Sequence, residues 1–68
     1  MNEENFNREI RGFLKKVGIA SQREIEKAVW AGLDSGELKG DERFQVKMTL
    51  ELRDLDLTLN IEDEISLE

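Results

Sequence analysis

The chain has 68 residues, 38% of them hydrophobic and 38% charged, a formal net charge of −6, and no proline, cysteine, histidine or tyrosine. A chain of this length makes one domain and buries only about 60% of the surface its unfolded form exposes, so its core is marginal without a staple. Zero cysteines exclude a disulfide, and zero cysteines with zero histidines leave carboxylates as the only strong side-chain metal ligands, against any zinc, iron or copper site.

The first residues, Met1-Asn2-Glu3-Glu4-Asn5, are acidic and polar with no apolar run behind them, unlike a signal peptide. No stretch approaches the ~18 apolar residues of a membrane span. The expectation is a cytoplasmic protein without a membrane partner. Leu67-Glu68 matches a common vector scar, although Leu67 also continues the local pattern.

Charge is uneven along the chain. Residues 1–40 carry seven acids and seven bases, whereas residues 41–68 carry nine acids and three bases, so the whole excess of −6 lies in the second part. Such a field repels nucleic acid and favours basic partners, and it also serves solubility.

Phe6, Ile10, Phe13, Leu14 and Val17 recur at the spacing of an amphipathic helix. Asn2 is placed to cap it, Glu3 and Glu4 fall in its first turn, and Lys15, Lys16 and Gly18 resemble its end, which predicts a helix over about 3–17. Ser21-Gln22-Arg23-Glu24 reads as a capping box, and Ile25, Ala28, Val29, Gly32 and Leu33 then form a narrow stripe, predicting a second helix over about 22–35 that ends at Gly36.

From Phe44 the period changes to two. Phe44, Val46, Met48, Leu50 and Leu52 predict a strand over about 44–52, and Leu55, Leu57, Leu59 and Ile61 a second over about 55–61. A turn centred on Arg53-Asp54 pairs Leu52 with Leu55 and Leu50 with Leu57. Arg-Asp is poor chemistry for a two-residue hairpin, and a four-residue loop is the alternative. Ile65 and Leu67 add a short third strand over 64–67 or an extension past a bulge. The predicted architecture is α+β, a single small domain over 1–68 with two N-terminal helices packed on an antiparallel sheet of two or three strands.

The succession Phe13-Leu14-Lys15-Lys16-Val17-Gly18, Ser21-Gln22-Arg23-Glu24-Ile25-Glu26-Lys27-Ala28, Leu38-Lys39-Gly40 and Lys47-Met48-Thr49-Leu50 resembles a family of small uncharacterised bacterial proteins of about this length. That resemblance implies a compact domain and no catalytic residues. A looser one, carried by Gly18-Ile19-Ala20-Ser21-Gln22 and by Gly36-Glu37-Leu38 ahead of a hairpin, runs to helix-turn-helix and winged-helix modules. The recognition helix it implies carries a net charge of −1, and the wing it implies is the most acidic part of the chain, both contrary to phosphate binding.

Catalysis needs a nucleophile with a base, or paired carboxylates in a cleft. Ser21 is assigned to its cap, Thr49 and Thr58 alternate away from the apolar face, and Gly36-Glu37-Leu38-Lys39-Gly40 lacks the ending of a phosphate loop. No catalytic, metal or cofactor-binding residue is assigned. The candidate interaction residues are Trp30, off the apolar stripe and suited either to covering a core edge or to anchoring another chain, and Arg8, Arg11 and Lys15, a basic face suited to solvent or to an anionic group. The sequence therefore points to a noncatalytic protein-interaction module. Its expected partner is a second copy or another, basic protein, and a nucleic-acid-binding winged-helix relative is the alternative.

Overall fold

The computed structural model describes all 68 residues, Met1–Glu68. One helix, α1 (Glu3–Ser35), is followed by two strands, β1 (Arg43–Leu52) and β2 (Leu57–Ser66), joined through a 3-10 turn at Arg53–Leu55. The fold is thus α+β with one long helix and a two-stranded antiparallel sheet. The chain divides into two units, Met1–Glu37 and Leu38–Glu68.

The expected pair of helices over 3–17 and 22–35 is a single helix of 33 residues, about 50 Å long at 1.5 Å per residue. Residues 18–21 continue the helix, so Gly18 is no C-cap, Ser21 opens no capping box, and Lys15 and Lys16 lie mid-helix. The reason is energetic. A single glycine inside a helix costs about 1 kcal/mol relative to alanine, and without a proline nothing at this point removes a backbone donor. The apolar pattern also crosses Gly18 without a break in phase. Phe6, Ile10, Leu14, Val17, Ser21, Ile25, Ala28 and Gly32 are separated by 4, 4, 3, 4, 4, 3 and 4 positions, an 11-residue period of 3.67 residues per turn. Read at 3.6, the two halves look like stripes of different helices; read at 3.67 they are one seam.

The ends of α1 are those read from the sequence. Asn2, in extended conformation (φ −97°, ψ 101°), accepts the Asn5 N–H on its Oδ1 at 3.0 Å, and Glu3 and Glu4 occupy the first turn. Gly36 terminates the helix in the left-handed region (φ 84°), with its N–H donating to the Leu33 carbonyl at 3.3 Å. The Ser35 hydroxyl donates to the Gly32 carbonyl at 3.1 Å.

In the second unit the strands pair in unbroken register from Arg43 with Ser66 to Leu52 with Leu57. Leu50 lies opposite Leu59, Met48 opposite Ile61 and Phe44 opposite Ile65, the register of the four-residue loop and two residues away from that of the two-residue turn. Because the side-chain period is two, that slip preserves the apolar face. Its cause is the turn. A two-residue hairpin would require positive φ at Arg53, and in its type I′ form at Asp54 as well, whereas the four-residue connection 53–56 requires it only at Asp56 (φ 51°), a residue type that tolerates the left-handed region better than arginine. Leu55, expected to begin the second strand, consequently sits on the turn, 74% exposed.

There is no third strand over 64–67. Ile65 and Ser66 complete β2 without a bulge, and the Leu67 N–H donates to the Glu42 carbonyl at 3.0 Å, one step beyond the paired residues. Ahead of β1, the Glu42 carboxylate accepts the N–H groups of Lys39 (2.9 Å) and Gly40 (3.0 Å), and Gly40 supplies the positive φ of 104° that this loop needs. These two bonds hold the Glu42 carboxyl below the usual carboxylate range.

Candidate interaction surfaces

Neither unit closes a core of its own. Within α1 only Gly32 is buried, and no hydrophobic side chain of the chain is fully buried. The seam of α1 runs from Phe6, Ile10 and Leu14 through Val17, Ser21 and Ile25 to Ala28 and Gly32. Phe13 flanks it on one side and Val29 on the other, and Phe6, Phe13 and Leu14 each leave about half of their surface in water (51%, 52% and 54%).

The basic face expected from Arg8, Arg11 and Lys15 is present on α1, away from the seam. The three side chains are exposed and form no ion pair. Lys15 also borders an open depression of about 400 Å³ whose other walls are Gly12, Lys16, Ile19, Ala20 and Arg23. Trp30 is 59% exposed, and with Ile19 and Arg8 it repeats at the same 11-residue interval on the side opposite the seam.

The sheet of the second unit has two unlike faces. On the polar face the Thr49 hydroxyl donates to Asn60 Oδ1 at 2.8 Å, Gln45 Nε2 donates to Glu64 Oε2 at 3.1 Å, and Arg43 approaches Glu64 at 3.8 Å. Lys47 lies opposite Glu62. The apolar face carries Phe44, Val46, Met48, Leu50 and Leu52 against Leu57, Leu59, Ile61 and Ile65, of which Phe44, Val46, Leu50 and Ile65 are half-buried and the rest exposed. One charge interrupts it. Asp63 alternates onto this face, opposite Val46. An inward-facing charge of this kind guards against indiscriminate edge pairing. Residues 38–68 carry nine acids and four bases, a net −5, whereas α1 carries six of each.

Carboxylates do not converge in groups of three or more, and no helix is long and apolar enough to cross a membrane.

Two features escaped the sequence reading. The 3.67-residue period was available in the spacing and would have joined the two helices. The Asp63 placement follows from the strand running past Ile61, which the acidic run Glu62-Asp63-Glu64 concealed.

Over residues 1–68 the sequence matches the family model DUF6494, described as a family of unknown function. The chain belongs to the DUF6494 family. The match covers the whole of it, as the resemblance to an uncharacterised family led one to expect, and membership brings no assigned activity. Comparison with curated proteins and with solved structures finds no match. The looser resemblance to helix-turn-helix modules fails at the turn itself, since residues 18–21 lie inside α1.

Proposed function

We propose that this DUF6494 chain is a noncatalytic protein-interaction module of the cytoplasm whose apolar helix and sheet faces are covered by other chains. One observation carries the reading: fifteen large hydrophobic side chains are exposed on a chain of 68 residues that buries none. Contiguous apolar surface rimmed by charge marks interaction sites in soluble proteins. The acidic surroundings of the sheet, net −5, favour a basic protein as the partner of that face. Trp30, large and exposed, is suited to serve as an anchor.

The test is affinity capture from the native cell, followed by reconstitution with the purified captured protein. The reading expects a defined complex that weakens at least tenfold when Leu59→Asp places a charge on the apolar sheet face, while Thr58→Asp on the polar face leaves it intact. Equal binding by both variants would overturn the assignment of the face. Tight, steeply salt-dependent binding to nonspecific duplex DNA would instead support a nucleic-acid partner and remove the reading.

A further inference from the structure

We infer that the free edge of β1 pairs antiparallel with the β1 edge of a second copy of this chain, with Met48 on the two-fold axis. This rests on the reading of the chain as an interaction module and names what one of its strand edges takes.

The hydrogen-bond ladder decides which backbone groups are free. The Leu67 N–H donates to the Glu42 carbonyl in continuation of the strand register, so these two residues form a hydrogen-bonded pair. By the alternation of an antiparallel ladder, Phe44, Val46, Met48, Leu50 and Leu52 then turn their N–H and C=O groups to β2. Arg43, Gln45, Lys47, Thr49 and Glu51 turn theirs to the open edge, and all five residues are exposed. The other open edge, on β2, is presented by Thr58, Asn60, Glu62, Glu64 and Ser66.

The two edges are unlike. On β2 the Glu64 N–H, one of the outward donors, is taken by Asp63 Oδ1 at 2.7 Å, and the run Glu62-Asp63-Glu64 makes this edge acidic. No N–H of the β1 edge has a side-chain acceptor of this kind. A row of unpaired backbone donors and acceptors is a template for another strand. Head-to-tail pairing of β1 on the next copy's β2 would need the occupied edge and would run on without closing. Pairing of β1 on β1 uses only open groups and closes as a two-fold dimer.

Charge along β1 sets direction and register. The outward row begins basic, with Arg43 and Lys47, and ends acidic, with Glu51. An antiparallel pair brings the basic start against the acidic end, whereas a parallel pair sets like on like. Centred on Met48, Gln45 lies opposite the second copy's Glu51 and Lys47 opposite its Thr49, with Arg43 diagonal to Glu51. Centring on Lys47 would oppose that lysine to itself, and centring on Thr49 would carry Phe44 and Gln45 past the end of the strand. In the Met48 register Phe44 meets Leu52 and Val46 meets Leu50, so the two apolar faces join as one face of four strands.

Thr49→Pro and Asn60→Pro are matched variants. Each removes one outward N–H and breaks the same Thr49–Asn60 side-chain bond, but on opposite edges. In sedimentation equilibrium up to millimolar concentration, the unmodified chain and Asn60→Pro should approach twice 7.9 kDa, and Thr49→Pro should stay at the monomer mass. Cross-linking gives a readout that needs no proline. The chain has no cysteine, and Ile61 lies opposite Met48 on the same face. Because Cα atoms opposed in a non-hydrogen-bonded antiparallel pair are about 4.5 Å apart, within disulfide reach, Met48→Cys should oxidise to a linked dimer about tenfold faster than Ile61→Cys. Equal cross-linking at the two positions, or a dimer retained by folded Thr49→Pro, would overturn the assignment of the edge. A monomer at every concentration would overturn the pairing, and if that monomer still bound its captured protein partner the broader reading would stand without it.

Discussion

The helix and the hairpin carry the same kind of apolar patterning, yet one resisted reading and the other did not. In β1 and β2 the side-chain period is fixed at two by the pleat, so even a register displaced by two residues keeps Leu50, Leu59, Met48 and Ile61 on one face. In α1 the period is not fixed in advance and has to be read from the spacing itself. At 3.6 the stripe drifts across the helix surface and suggests a break at Gly18; at 3.67 it is continuous from Phe6 to Gly32. The lesson is that a long helix shows its continuity only when its period is measured, whereas a strand shows its faces at once.

The sharpest way to probe the contrast is within one strand. Leu50→Asp removes the cross-strand contact with Leu59 and charges the apolar face, with an expected loss of about 2 kcal/mol in urea unfolding. Thr49→Asp, on the opposite face, should change stability by less than about 0.5 kcal/mol. Equal sensitivity at both positions would mean that the sheet has two covered faces.

Along α1 the comparison is between a true cap and an interior serine. Asn2→Ala should cost about 1 kcal/mol by thermal or urea unfolding, because the Asn5 N–H loses its acceptor. Gly12→Ala should stabilise by about the same amount, since an added Cβ there meets no atom within 4 Å and alanine is the better helix former. Ser21→Ala should be neutral or stabilising by about 0.5 kcal/mol. A loss near 1 kcal/mol at Ser21 would restore the capping box and divide the helix.

The smallest effect concerns the loop that leads into β1. The folded-state pKa of Glu42 is depressed by the Lys39 and Gly40 N–H groups, so the contribution of this carboxylate is present above its unfolded pKa and is lost as pH falls through the folded one. Glu42→Gln should therefore flatten the stability profile below about pH 4.5 and leave it unaltered in slope near neutrality. An unchanged acid limb in the variant would show that the loop bonds do not persist in solution.

What was legible followed from local chemistry. Asn2, the acidic first turn and Gly36 fixed the ends of the helical region, and strict alternation fixed the strand faces. What was not legible depended on competition between local signals. Gly18 and Ser21 to Glu24 each favour a helix boundary when taken alone, but together they offer less than an unbroken ladder of backbone hydrogen bonds running through them. Between the two registers that the hairpin offered, the left-handed tolerance of Asp56 favours the four-residue loop over the pairing of Leu52 with Leu55. Trp30 and the basic triplet Arg8, Arg11 and Lys15 were placed on the helix surface by spacing alone, and exposure is what the structure adds to them.

The account rests on α1 being one helix with one seam, and backbone chemical shifts with amide exchange across residues 17–22 test this most directly. An unbroken helix gives helical Cα shifts at Gly18, Ile19, Ala20 and Ser21, with the Ser21 and Gln22 amides protected like those on either side. Extended shifts at Ser21 with fast exchange of the Gln22 and Arg23 amides would mark a helix start there, split the seam, and contradict the account.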